Sequence, residues 1–189
     1  RGMKLVKTKL PGCVVVEPAV FGDERGFFYE GWSAARFAEH GLPQHFVQHN
    51  VSRSQRGVLR GLHYQWPHNA QGKLVSVLEG EVYDVAVDIR RGSPTFGEHA
   101  AAILSAENKR HFWVPEGFAH GFLVLSENAT FAYLCTAPYD RASDNSLRWD
   151  DPQLAIDWPL ADVSLSPKDA VAPLLADIAA ERLPVYPAP

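Results

Sequence analysis

The chain has 189 residues, 46% hydrophobic and 21% charged, which is enough for one sizeable core and excludes a disordered or fibrous protein. Its 18 Lys and Arg against 22 Asp and Glu give a net charge of −4. That balance excludes the basic footprint of a non-specific nucleic-acid binder but leaves room for a local cationic cluster that holds an anion. No run of about 18 uncharged apolar residues is present to span a membrane. Lys4, Lys7 and Lys9 interrupt the early apolar run that a signal peptide needs. Arg1-Gly2 ahead of Met3 reads as a cloning remnant and is set aside. Two cysteines, Cys13 and Cys135, make neither a disulfide framework nor a zinc knuckle and point to a reducing, cytoplasmic setting.

In chain order, short apolar runs separated by scattered Gly and Pro predict strands at 12–17, 45–52 and 58–65. Ser33 caps a short predicted helix through Glu39, with Gly41 as its stop. The run KLVSVLEGEVYDVAVDIR, residues 73–90, reads as two strands joined near Gly80. In the second of them Tyr83, Val85, Val87 and Ile89 share one face, and Val82, Asp84, Ala86 and Asp88 the other. Further strands are predicted at 98–104, 111–114, 120–126 and 129–136. Residues 172–182 place Leu174, Leu175 and Ile178 on one helical face, and the tail LPVYPAP is extended. There is no repeat, linker or low-complexity tract, so the chain reads as a single domain, 1–189, with a barrel core at about 45–140. Strands in the centre and helices only near the ends exclude an open α/β sheet and favour a jelly roll or double-stranded β-helix, which encloses a ligand pocket.

Two constellations carry the chemistry. The first is Arg60-Gly61-Leu62-His63-Tyr64-Gln65 followed by Gly72-Lys73; the second is Pro115-Glu116-Gly117-Phe118-Ala119-His120-Gly121-Phe122. Strict strand alternation puts Arg60 and His63 on opposite faces unless a bulge at Gly61 intervenes. The pair resembles the two cupin motifs, and the second motif, P-x-G-x-x-H, is complete. In the first, Gln65 stands where a metal cupin has a second His, and Lys73 falls where an acidic ligand is usual. Two His and a nearby ammonium are a poor cage for a divalent cation, so the pocket reads as metal-free and without a cofactor.

The chain as a whole resembles the dTDP-4-dehydrorhamnose 3,5-epimerase family. The likeness runs from about Val16 to Leu175 and rests on Asp23-Glu24-Arg25-Gly26-Phe27-Phe28-Tyr29-Glu30, Gln48-His49-Asn50, Arg60 to Gln65 and Gly72-Lys73. It also rests on Tyr83-Asp84-Val85, Pro115 to Phe122, Arg148-Trp149-Asp150-Asp151-Pro152 and Ser166-Pro167-Lys168-Asp169. The resemblance implies an all-β cupin-type barrel with short peripheral helices near the termini. It implies proton abstraction beside the C4 ketone of a dTDP-linked 4-keto-6-deoxy sugar. His63 would then be the base, Asp169 its partner, Tyr133 the opposing acid and Lys73 the cation at the enolate oxygen, with Asp84 pairing Lys73 or a His. Arg25, Glu30, Gln48, Asn50, Arg60, His120 and Lys168 would contact the substrate. Tyr139 would stack on thymine and Asp144, shorter than the Glu common there, would be an acidic contact. The resemblance further implies a homodimer with exchanged N-terminal strands.

Three other readings share these residues: a single-position epimerase, a metal-dependent cupin enzyme, and a sugar-binding cupin without catalysis. Read without the resemblance, Asp84 and Asp88 form an outer polar face and Lys73 a solvated strand end. Phe27, Phe28, Trp113, Trp149 and both cysteines read as core. His40, His45, His68, His99 and His111 are given no role, and His49 reads as structural.

Overall fold

The structure, a computed structural model, describes residues 2–187. Its strands are β1 (Lys4–Lys7), β2 (Val14–Glu17), β3 (Val20–Asp23), β4 (Gly26–Tyr29), β5 (Gln48–Gln55), β6 (Leu59–Gln65) and β7 (Lys73–Glu79). They continue with β8 (Glu81–Asp88), β9 (His99–Ser105), β10 (His111–Val114), β11 (Phe118–Val124), β12 (Asn128–Cys135) and β13 (Asp144–Ser146). Two short helices flank them, α1 (Ala34–Glu39) and α2 (Pro167–Ala170). A six-stranded sheet, ordered β1-β2-β10-β7-β12-β5, faces a five-stranded sheet, ordered β13-β6-β11-β8-β9, and β3 and β4 form a separate hairpin. This is the expected all-β jelly roll of the cupin type.

Three apolar layers follow from strand alternation. Val75, Val77, Val82, Ala86, Phe112, Phe122 and Phe131 fill the space between the sheets. Val85 and Val87, of the opposite parity on β8, and Ile89 just beyond it pack outward against Leu147, Leu154, Leu175 and Leu183 of the C-terminal segment. Phe37 of α1 covers Val16, Leu74 and Trp113 on the outer face of the six-stranded sheet. The predicted alternation of β8 therefore holds, but its polar members lie inside the barrel. Asp84 and Asp88 are fully buried, not an outer polar face.

The Ser33 cap stands as predicted: its side chain accepts from Arg36 N, and the chain leaves the helix through Gly41 at φ +71°. The helix expected over 172–182 is absent. That segment is a strap with 3-10 turns at Leu175–Asp177 and Ala180–Arg182. Buried Asp151 takes the Leu175 N–H at 2.7 Å, and the Pro173 carbonyl accepts from Arg148 N, so the strap bonds to neighbouring loops instead of to itself. The tail runs beside Arg91 through Pro184 and Tyr186; its last two residues, like Arg1, lie outside the described residues. Phe27 and Phe28 are not core. They stand 62% and 67% exposed on the β3–β4 hairpin. Trp113 is buried and Trp149 half-buried.

Candidate active site

The two sheets enclose a cavity of about 420 Å³. From the five-stranded sheet come Arg60 and His63 of β6 and His120 of β11. From the six-stranded sheet come Asn50 of β5, Lys73 of β7 and Tyr133 of β12, and α2 closes one side with Asp169. Seven of the residues singled out in the sequence thus meet in one chamber.

Arg60 and His63 reach the same face because β6 carries one residue more than β11 between two paired positions. His63 pairs with His120 and Arg60 with Phe122, so three steps on one strand match two on the other. Glycine makes this possible. A Cβ on Gly121 would sit 2.8 Å from the Arg60 carbonyl oxygen, and one on Gly61, at φ +130°, would sit 2.7 Å from the Gly121 Cα.

His63 Nε2 lies 2.6 Å from Asp169 Oδ1, and Asp169 Oδ2 accepts from the Gly61 N–H at 3.1 Å. Burial works to raise the Asp169 pKa, but the His63 hydrogen bond and charge and the Gly61 N–H outweigh it and hold the carboxyl below its usual range. An ionised carboxylate only accepts, so Nε2 carries a proton and Nδ1 is the free nitrogen of the neutral imidazole. Ser166 caps α2 by accepting from Asp169 N at 3.1 Å.

His120 forms a second pair, its Nε2 hydrogen-bonded to Asp84 Oδ1 at 2.8 Å. This settles the partner of Asp84 as a His. Burial pushes the Asp84 carboxyl up despite His120 and Lys73, and its Oδ2 is buried without a hydrogen-bond partner. Lys73 is a half-buried residue at the cavity wall, not a solvated strand end, and loss of hydration there pulls its pKa down. Its Nζ lies 5.7 Å from the centre of the Tyr133 ring. Burial raises the Tyr133 hydroxyl pKa, which keeps it a proton donor at neutral pH. Tyr133 packs against Phe131, whose ring stacks on Phe122 at the cavity floor with centroids 3.9 Å apart.

A rim cluster adjoins the chamber. Gln48 donates to Asn50 Oδ1 and accepts from Tyr139 N. The Tyr139 hydroxyl donates to Asp144 Oδ2 at 3.2 Å, and Lys168 Nζ donates to the same oxygen at 2.6 Å. Arg25 and Glu30 are not brought to the chamber. Arg25 is paired with Asp23 on the exposed hairpin, and Glu30 with Arg36. Gln65, at the position of the missing metal-cupin His, is committed elsewhere. Its amide donates to the Asn69 and Pro138 carbonyls and accepts from Asp140 N. Among the described residues no three His, Cys, Asp or Glu side chains converge as a metal would need.

Two contributors have no role in the sequence reading, although Ser166 belongs to one of its motifs. Ser54 accepts from Arg60 Nε at 3.0 Å and orients the guanidinium; it follows from a pairing that no local pattern encodes. Ser166 had a signal, since Ser followed by Pro is a helix-start pair.

A family model described as dTDP-4-dehydrorhamnose 3,5-epimerase matches residues 7–177. The dTDP-4-dehydrorhamnose 3,5-epimerase of Salmonella typhimurium is 54% identical over 175 residues, covering 92% of this chain and 96% of that protein. Among solved structures, the dTDP-6-deoxy-D-glucose-3,5-epimerase of Legionella pneumophila, in complex with dTDP-4-keto-L-rhamnose, superposes with a TM-score of 0.95 at 60% identity. The match covers 98% of this chain and 100% of that one. A 4-keto-6-deoxy sugar epimerase, NovW, from the novobiocin cluster of Streptomyces spheroides has a TM-score of 0.93 at 40% identity, covering 98% of this chain and 96% of that one.

Proposed function

The chain belongs to the dTDP-4-dehydrorhamnose 3,5-epimerase family, and on that premise we propose that it converts dTDP-4-dehydro-6-deoxy-D-glucose to dTDP-4-dehydro-L-rhamnose. The hydrogens on C3 and C5 of this substrate are both α to the C4 ketone. His63 Nδ1 takes one of them, and the electron pair moves onto the C4 oxygen. Lys73 stabilises that oxygen as it becomes an enolate; its ammonium acts strongly because the wall around it is poorly hydrated. Tyr133 returns a proton to the opposite face of the same carbon, and the ketone re-forms.

The observation that carries this reading is the placement of base and acid on opposing sheets: His63 on β6 and Tyr133 on β12, across one cavity, with Lys73 beside the acid. Inversion needs two proton-transfer groups on opposite sides of one carbon, and a binding module has no use for them. Asn50, Arg60 and His120 hold the sugar and phosphates; Gln48, Tyr139, Asp144 and Lys168 take the nucleotide. The chemistry is metal-free: His63 and His120 each already bond an aspartate, and Gln65 is committed to loops.

The working form is a cytoplasmic homodimer of one epimerase domain per chain. The hairpin supports a second copy: Phe21, Phe27 and Phe28 are exposed there together, and Arg25 lies away from its own chain's cavity. Sedimentation velocity reads this directly, as one species of twice the chain mass.

Turnover of the dTDP-linked 4-keto sugar in D2O, without added metal, tests the function. Deuterium at both C3 and C5 is expected. Deuterium at one carbon would make the chain a single-position epimerase. Binding without exchange, or activity tracking stoichiometric metal, would overturn the reading.

A further inference from the structure

We propose that Asp144 is a positioning residue that ties the nucleobase plate, Tyr139, to the His63–Asp169 pair. The proposal rests on the epimerase reading above and deepens it. One oxygen, Asp144 Oδ2, accepts both the Tyr139 hydroxyl at 3.2 Å and Lys168 Nζ at 2.6 Å. Lys168 is the chain neighbour of Asp169 on α2, a helix of four residues. So short a helix has almost no internal rigidity of its own. Backbone bonds fix the chain on either side, at Ser164 to Gly57 and Leu59 and at Pro173 to Arg148, but α2 itself, beyond the Ser166 cap, is oriented by what its side chains grip: Asp169 on His63 Nε2 and Gly61 N, and Lys168 on Asp144.

Asp144 is itself a fixed anchor. It opens β13, which pairs with the strand carrying the base: Asp144 opposite Gln65 and Ser146 opposite His63. Its side chain is largely buried although Lys168 is half exposed. The rim and the base are therefore joined twice, through the β13–β6 backbone and through the Tyr139–Asp144–Lys168–Asp169 side chains. A nucleobase stacked on Tyr139 orders that ring, its hydroxyl loads Asp144, and Asp144 holds Lys168 and with it the carboxylate behind His63. Binding of a part of the substrate remote from the reacting carbons is thereby used to align the base.

Tyr139→Phe, Asp144→Asn and the double variant test this. Tyr139→Phe keeps the stacking plate and removes only the hydroxyl. Each single variant is expected to lower kcat about fivefold, the loss of one hydrogen bond that matters in the transition state. The dTDP affinity of Tyr139→Phe is expected to stay within about twofold of wild type. The double variant loses no more than the worse single, the mark of one shared path. Unchanged kcat with a raised KM would make these residues binding contacts only and overturn the proposal, as would losses that simply add. Wild-type enzyme that exchanges neither C3 nor C5 overturns the epimerase reading itself, a result separate from either of these.

Discussion

Two His–Asp pairs face each other across neighbouring strands, since His63 and His120 are partners in the β6–β11 register, and they differ in almost everything but composition. His63 is about a third exposed to the cavity, and its carboxylate arrives 106 residues later in sequence, on α2. His120 and Asp84 are buried together within one sheet. Asp169 receives two hydrogen bonds and is held ionised; Asp84 receives one, keeps an unpartnered oxygen, and is pushed towards its neutral form. Hydration and donor count, not residue type, separate the pair proposed to hold the base from the buried His120–Asp84 pair.

Removing each pair in turn should show the difference in turnover. His63→Ala is expected to lower kcat by about 10²–10⁴-fold with little change in dTDP binding. Asp169→Asn should lose about 10²-fold or more, because the imidazole is left with the wrong tautomer. Asp84→Asn should cost far less kcat. Steady-state kinetics on the three variants decide it: equal losses at Asp84 and Asp169 would erase the distinction.

Lys73 sharpens the contrast between a site and a core. A cation whose pKa is lowered by burial is held at a cost to the fold, since the unfolded chain binds that proton more readily. Lys73→Met should lose turnover by about 10²-fold and melt about 2–4 °C higher at neutral pH. Calorimetry beside kinetics reads both; a lower Tm would mean that Lys73 contributes to folding.

The bulge that puts Arg60 beside His63 was visible in the sequence only as a condition on Gly61. Its other half, Gly121, carried no signal, because the need for it arises from a backbone 60 residues away. Much of the site was nevertheless legible. His63, Lys73, His120 and Tyr133 fall within the strands predicted at 58–65, 73–90, 120–126 and 129–136, and they meet because the two sheets close on one interior. The C-terminal helix failed because its apolar spacing is also satisfied by a strap, and Asp151 and Pro173 bond to partners that spacing does not encode. Phe27 and Phe28 depart from the core expectation because the hairpin turns their apolar side chains outward. Gly121→Ala should therefore cost about 1–3 kcal/mol and reduce activity by displacing Arg60; denaturant melts and KM check both, and a wild-type melt would show that the two strands can part cheaply.

The smallest expected effect concerns sign. The Asp169 pKa is lowered on folding, so its contribution is present above the unfolded carboxylate pKa and is lost as pH falls through the folded value. The Asp84 pKa is raised, so its contribution is present below the unfolded pKa and is lost as pH rises through the folded value. From acid towards neutral pH, wild type should gain stability relative to Asp169→Asn and lose it relative to Asp84→Asn. Melts of the three proteins across that range report the two slopes, and slopes of the same sign would contradict the assignment.

The most direct measurement is deuterium incorporation at C3 and C5 of the dTDP-linked 4-keto sugar in D2O, followed by proton NMR for wild type and His63→Ala side by side. The account predicts exchange at both carbons for wild type and at neither for His63→Ala, with dTDP still bound by the variant. Exchange by His63→Ala at the wild-type rate would contradict the assignment of His63 as the base.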